Sequence, residues 1–310
     1  MSKVTVGIIQ ARPVYYDLAG TMDKTADLIE EAAKMGIKVV SLGETWLPGY
    51  PAWLDWCADS ARWNHPPVKE VYARLRQNSV VVGGKETDRL GKLAKKHGMV
   101  IVVGVNERVD RGPGNGTLYN TLLTFNADGA LVNHHRKLVP TYTEKMIWGH
   151  GDGHGLQAVD TAAGRVSALV CWEHWMPLAR QVLHDSFEQI HVAAWPSVHE
   201  MHQIASRQYA FESRCFVLAC GQILRGDDLP KELATPPELA DDPDMLVMNG
   251  GSAIIGPNGR YLAEPVYDQE TIVCAEIDLD DIDQEKMTLD VTGHYARPDV
   301  FGLTVNRERQ

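Results

Sequence analysis

The sequence offers no paired-cysteine framework. Its five cysteines, Cys57, Cys171, Cys215, Cys220 and Cys274, are an odd number and scattered, with no CxxC spacing. That pattern fits reduced thiols in a cytoplasmic protein better than a secreted disulfide scaffold. A surplus of positive charge is also missing: 30 basic against 41 acidic residues leave a net charge of −11. Phosphate backbones reward clustered Lys and Arg, so the balance argues against a nucleic-acid partner. No apolar run approaches the length of a membrane span; even Val100–Val105 soon meets Asn106, Glu107 and Arg108. The first 13 residues lack the long apolar stretch and cleavage site of a secretory leader, so none is expected.

What is present is an ordinary globular composition, 44% hydrophobic and 23% charged over 310 residues. Short β-branched runs alternate with amphipathic patterns, which predicts α/β layering. Strands are expected at Val4–Ile9, Ile37–Leu42, Met99–Val105, Leu118–Phe125, Leu131–His135, Arg165–Val170, Ile190–Ala194, Cys215–Cys220, Ser252–Ile255 and Thr271–Ile277. Helices are expected at Thr21–Met35, Asp88–His97, Leu178–Phe187 and Met201–Arg214. The glycine-rich Arg111–Gly116 segment lacks a following Gly-Lys-Ser/Thr and reads as a hairpin turn, not a phosphate loop. The acidic, proline-rich stretch Gly226–Met248 reads as a surface loop. No linker divides the chain, so residues 1–310 are taken as one domain.

Three polar residues, Glu44, Lys137 and Cys171, fall just past expected strand ends, where the loops of an α/β sheet converge. Singly, each has a bland explanation: a capping or solvated Glu, a surface Lys, a packed core thiol. Cys215, Cys220 and Cys274 are read as core thiols, and Cys57 as core or pocket wall.

The segments around the three share a pattern. Cys171-Trp172-Glu173-His174-Trp175-Met176-Pro177 resembles the cysteine motif of nitrilases, members of the carbon–nitrogen hydrolase superfamily. Gly43-Glu44-Thr45-Trp46-Leu47-Pro48-Gly49-Tyr50-Pro51 resembles the family's glutamate block. His135-Arg136-Lys137-Leu138-Val139-Pro140 resembles its lysine block, with Glu144 at the place of a second glutamate. Gly293–Asp299 is similar to its C-terminal block. Two positions depart from the pattern: Gly43 stands where many relatives carry Pro, and His174 where many carry Asn.

The resemblance implies a four-layer α-β-β-α sandwich whose subunits pair near the site into homodimers or longer spirals. The segment from about 280 to 310 is expected as a C-terminal extension at a subunit interface. It further implies hydrolysis of an organic nitrile to the acid and ammonia through a covalent thioimidate and thioester, with no cofactor and no metal. Cys171 is the expected nucleophile, Glu44 the base, Lys137 the fixed cation and Glu144 the supporting carboxylate. The chemistry is consistent on its own terms, because only a thiolate attacks carbon and a nearby base must make it. Glu173 is expected to bond within its own turn.

Tyr50, Trp148, Trp172, Trp175 and Trp195 are candidates to line an apolar substrate pocket, with ordinary core filling as the alternative. The histidines of Gly149–Gly155 alternate with glycine, which suits a loop shaping that pocket better than a metal site. His134 and His135 alternate across a strand, so at most one can face the site. Other functions in view are an amidase or carbamoylase, a cyanide-degrading enzyme and a catalytically silent scaffold.

Overall fold

A computed structural model describes residues 2–309. Thirteen strands form two sheets. The first runs in the order β13-β1-β2-β3-β4-β5: Thr271–Asp278, Lys3–Gln10, Val39–Leu47, Val100–Arg108, Leu118–Phe125 and Leu131–Arg136. In the second, β6 (Val159–Thr161), β7 (Gly164–Val170), β8 (Ile190–Ala194) and β9 (Phe216–Cys220) lead to β11 (Leu246–Ile255). There β11 pairs with both β10 (Ile223–Arg225) and β12 (Tyr261–Tyr267). Parallel pairs β1–β2–β3 and β7–β8–β9 form the two centres.

Side-chain alternation on these strands builds the layers. On β3, Val100 and Val102 point inward with Val6, Ile8, Ala168, Val170, Val192 and Leu218 to form the seam between the sheets. Their neighbours Ile101, Val103 and Val105 point the other way. They meet Met22, Ile29 and Ala32 of α1 (Leu18–Lys34) and Leu90 and Ala94 of α4 (Lys85–His97). Helices α5 (Pro177–His184) and α6 (Glu200–Ser213) cover the outer face of the second sheet through Val182, Leu183, Tyr209 and Ala210. The result is the expected α-β-β-α sandwich. No helix among the described residues is long and apolar enough to cross a membrane.

Most expected elements lie within two or three residues of their observed limits. Helix α5 is shorter than read, ending at His184. Strands β6, β10 and β12 and helix α3 (Pro66–Gln77) are among the elements that were not foreseen. The segment read as a surface loop is more structured than that. Residues 226–248 carry the short helix α7 (Pro237–Asp241), bury Leu229, Leu233 and Leu239, and pack on Val71 and Leu75 of α3. Its prolines place turns while its leucines face inward. Cys274 is a second correction: it is exposed, because β13 buries Val273 and Ile277 on the other face of the pleat. Cys57 is buried in the aromatic cluster with Trp53 and Tyr16, away from the pocket described below.

Candidate active site

Two of the three blocks reach the site through a local distortion where their strand ends. On β2 the register against β3 shifts between Leu42 and Leu47, which releases Glu44 from the ladder. The bulge lies directly on Gly104 of β3, where a Cβ would come within 2.1 Å of the Gly43 carbonyl oxygen. Gly43 has its own reason to lack a side chain. A Cβ there would strike Gln222, whose amide nitrogen donates to the Glu44 carbonyl at 2.6 Å. Lys137 follows β5, its N–H bonded to the Asn120 carbonyl. Cys171 follows β7 with φ at +51° and opens a 3₁₀ turn over Cys171–Trp175.

These distortions bring the four side chains together in the interior. Lys137 Nζ donates to Glu44 Oε1 at 3.0 Å and to Glu144 Oε2 at 2.7 Å, with all three side chains essentially inaccessible. Asn120 Nδ2 also donates to Glu44 Oε1, at 2.6 Å. Among the described residues nothing bonds the other oxygen, Glu44 Oε2. Glu144 is held by Tyr50 Oη at 2.9 Å and by the Thr141 N–H at 2.7 Å.

The electrostatics of the cluster oppose one another. Burial pushes the Glu44 carboxyl up to about 7; Glu144 adds to this, while Lys137 and Asn120 pull it back. Burial disfavours the Lys137 ammonium, but Glu44, the Cys171 sulfur and Glu144 together outweigh it and raise its pKa. Burial lifts the Cys171 thiol well above the usual range. Glu44 and Glu144 lift it further, against the pull of Lys137 and a hydrogen bond from the Trp172 N–H. At rest the arrangement is therefore a neutral thiol beside a carboxyl group poised near neutrality, with a fixed cation between two acids.

A cavity of about 460 Å³ opens onto Cys171 and Glu144. Tyr50 and Trp172, both expected there, are on its wall. Trp148, Trp175 and Trp195 stand behind it. Trp148 is buried against Tyr50 and donates to Asn106, and Trp195 is core, stacked between His174 and His202. Trp175 packs edge-on to Trp172 and Trp195. The wall is completed by residues that sequence reasoning did not single out, among them Trp56, Tyr142, His202, Val247 and Met248. They come from elements far apart in sequence, His202 from α6 and Val247 and Met248 from β11, and only the fold unites them.

Two expectations about neighbouring segments change. The Gly149–Gly155 loop does not line the cavity; it backs the lysine block, with the Gly151 N–H donating to the Lys137 carbonyl. Its glycines allow that close approach. Glu173 bonds within its turn to the Val170 N–H, but also accepts from the Leu138 N–H and from His135 Nε2. It thereby ties the lysine block to the cysteine turn. His135 faces inward, while His134 turns away to Glu107. Among the described residues no three His, Cys, Asp or Glu side chains are placed to hold a metal ion.

The model of the carbon–nitrogen hydrolase family matches residues 5–287. An aliphatic nitrilase of Sinorhizobium fredii is 38% identical over 99% of this chain and 97% of its own. A bifunctional nitrilase/nitrile hydratase of Lupinus angustifolius is 36% identical over 97% of this chain and 86% of its own. Among solved structures, a carbon–nitrogen hydrolase of Helicobacter pylori G27 superposes with a TM-score of 0.73 at 20% identity, covering 97% of each chain. With the family's model spanning nearly the whole sequence and relatives this similar over their full length, the chain belongs to the carbon–nitrogen hydrolase family.

Proposed function

We propose that this protein is a nitrilase that hydrolyses an organic nitrile to its carboxylic acid and ammonia, with Cys171 as nucleophile. The observation that carries the reading is the buried Glu44–Lys137–Glu144 cluster beside Cys171 at the floor of the cavity. The full-length similarity to proteins named nitrilases supports the choice of substrate class.

In the proposed cycle Glu44 Oε2, which has no partner among the described residues, takes the Cys171 proton as sulfur adds to the nitrile carbon. The proton passes to the nitrile nitrogen and a thioimidate results. Lys137 and the Trp172 N–H meet the charge that develops on nitrogen and sulfur. Water, deprotonated by Glu44, adds to the thioimidate and gives a tetrahedral intermediate. Loss of ammonia leaves a thioester, which a second water hydrolyses to the acid and free Cys171. If the tetrahedral intermediate expels the thiol instead, the product is the amide. Tyr50 and Glu144 act through Lys137 and stay chemically unchanged.

Tyr50, Trp56, Trp172, Val247 and Met248 give the cavity an apolar side for the organic group. No cofactor has a part in these steps. We also assign an association of two copies to the exposed apolar face of α5 and α6, as argued below.

The reading is tested by ammonia release from paired aliphatic and aromatic nitriles and their amides, with Cys171→Ala as control. Nitrile turnover that vanishes in the variant is expected. Turnover of amides alone would move the protein to the amidase branch, and no ammonia from a folded protein would refute the enzyme reading.

A further inference from the structure

The proposed cycle makes no use of a polar network behind the nucleophile. Cys171 sits in the left-handed region, which costs a residue with a side chain about 1–2 kcal/mol, so its peptide needs holding from outside the turn. The Cys171 carbonyl accepts a hydrogen bond from His174 Nδ1 at 2.7 Å. The other end of that same peptide is the Trp172 N–H, which opposes the burial of the Cys171 thiol by favouring its thiolate. A trans peptide is planar, with its C=O and N–H opposed. Whatever fixes the carbonyl therefore aims the N–H.

The proton order of the network follows from its partners. A carbonyl only accepts, so His174 Nδ1 carries the ring hydrogen. Burial holds His174 well below the usual histidine range, which leaves the ring neutral and Nε2 bare. That atom lies 3.0 Å from His191 Nε2, which must donate to it. Burial holds His191 below the usual histidine range as well, so its one ring hydrogen is the Nε2–H and the bare Nδ1 accepts from Ser167 Oγ at 2.7 Å. Glu188 is buried beside this pair and accepts from His184, Tyr209 and Ser213. Packing fixes the rings as well: His174 stacks on Trp195 with centroids 4.7 Å apart, and His191 on Tyr209 at 3.9 Å. None of these residues lines the cavity.

We propose that the buried chain Ser167–His191–His174 is a positioning device that holds the Cys171–Trp172 peptide so that the Trp172 N–H faces the charge developing at the reacting sulfur and substrate. His174 is a positioning residue in this scheme, because it acts only through that peptide. The proposal rests on the reading of Cys171 as nucleophile.

Two variants test it. His174→Leu fills the space but removes the donor. His174→Asn puts an amide nitrogen where Nδ1 stands, which keeps the carbonyl bond and cuts the link to His191. Nitrile hydrolysis gives kcat and KM. Separately, the rate of Cys171 alkylation by iodoacetamide is followed by mass on the Cys171 peptide, since Cys274 is also accessible.

The expected result for H174L is a kcat about 10- to 100-fold lower with KM within about threefold, and slower alkylation. H174N should recover most of both. A folded H174L with unchanged kcat and alkylation overturns the proposal, as does a folded H174N that loses about 100-fold or more in kcat. Should H174L fail to fold, H174N decides alone. Should the wild type turn over no nitrile, the proposed function fails, yet alkylation still decides whether His174 aims the peptide.

Discussion

At the scale of single residues the site depends on an asymmetry within one carboxyl group. Glu44 Oε1 takes hydrogen bonds from Lys137 and Asn120, whereas Oε2 takes none among the described residues. A base needs such a bare oxygen, and it needs to be ionised at working pH. With Glu44 pushed up to about 7, kcat/KM should rise with pH along a limb centred near 7, as the base form accumulates in the free enzyme. A limb centred near 4.5 would show that burial does not govern this group. Glu44→Gln should lower kcat by about 10²- to 10⁴-fold. Its effect on stability carries a sign. The folded pKa lies above the unfolded value, so the stability tied to this group is full below about 4.5 and is lost as pH rises through about 7. The thermal midpoint of E44Q relative to wild type should therefore improve from pH 5 to pH 8.

The proposed catalytic side chains were legible only together, through four ordered motifs, because each taken alone has a bland explanation. Asn120 and the hydroxyl of Tyr50 were not legible as their partners. Nothing in an Asn on a strand, or a Tyr in an aromatic loop, marks a hydrogen bond to a carboxylate 76 or 94 residues away.

At the scale of elements, the strands were readable because two sheets buried on both faces require near-continuous apolar runs. Helix α3 and strand β12 were not, since Pro66–Gln77 buries only Val71 and Leu75, and Tyr261–Tyr267 is partly exposed throughout. The bulge on β2 was also hidden, although it decides where Glu44 points. It depends on Gly104 of a neighbouring strand, 60 positions away in sequence. Gly104→Ala should drive its methyl into the Gly43–Thr45 backbone, costing about 1–3 kcal/mol or more and displacing Glu44. Thermal unfolding and ammonia release should both fall; normal activity would show that the bulge has room to move. Glu173→Ala tests the joint between the lysine and cysteine blocks. It strands the buried N–H groups of Val170 and Leu138, each worth about 1–3 kcal/mol, so the unfolding midpoint should drop by several degrees. An unchanged midpoint would mean the two blocks hold their positions without it.

At the scale of the whole molecule, α5 and α6 turn several large apolar side chains toward solvent. Leu178 on α5 is 68% exposed, and Met201, Ile204 and Phe211 on α6 are 58%, 50% and 43% exposed. The three on α6 fall at spacings of three and seven, which places them on one stripe of that helix. Trp172 and Trp175 extend the apolar surface onto the turn that begins with Cys171. The proposed association of two copies would cover these side chains, which on a chain with net charge −11 are unusual in facing solvent together. A two-fold pair would let the same stripe meet itself, which is the commonest closed arrangement. The expected mass in solution is therefore at least that of two copies. Leu178→Glu with Ile204→Glu should reduce it to one, because like charges would then face each other across the axis with no partner. Since α5 and α6 both pack on the cysteine turn, separation should also lower nitrile turnover more than it lowers the unfolding midpoint. Light scattering coupled to size exclusion reads the mass directly. A wild-type monomer would remove the pairing, and a monomeric variant with full activity would show that the turn keeps its shape without a partner.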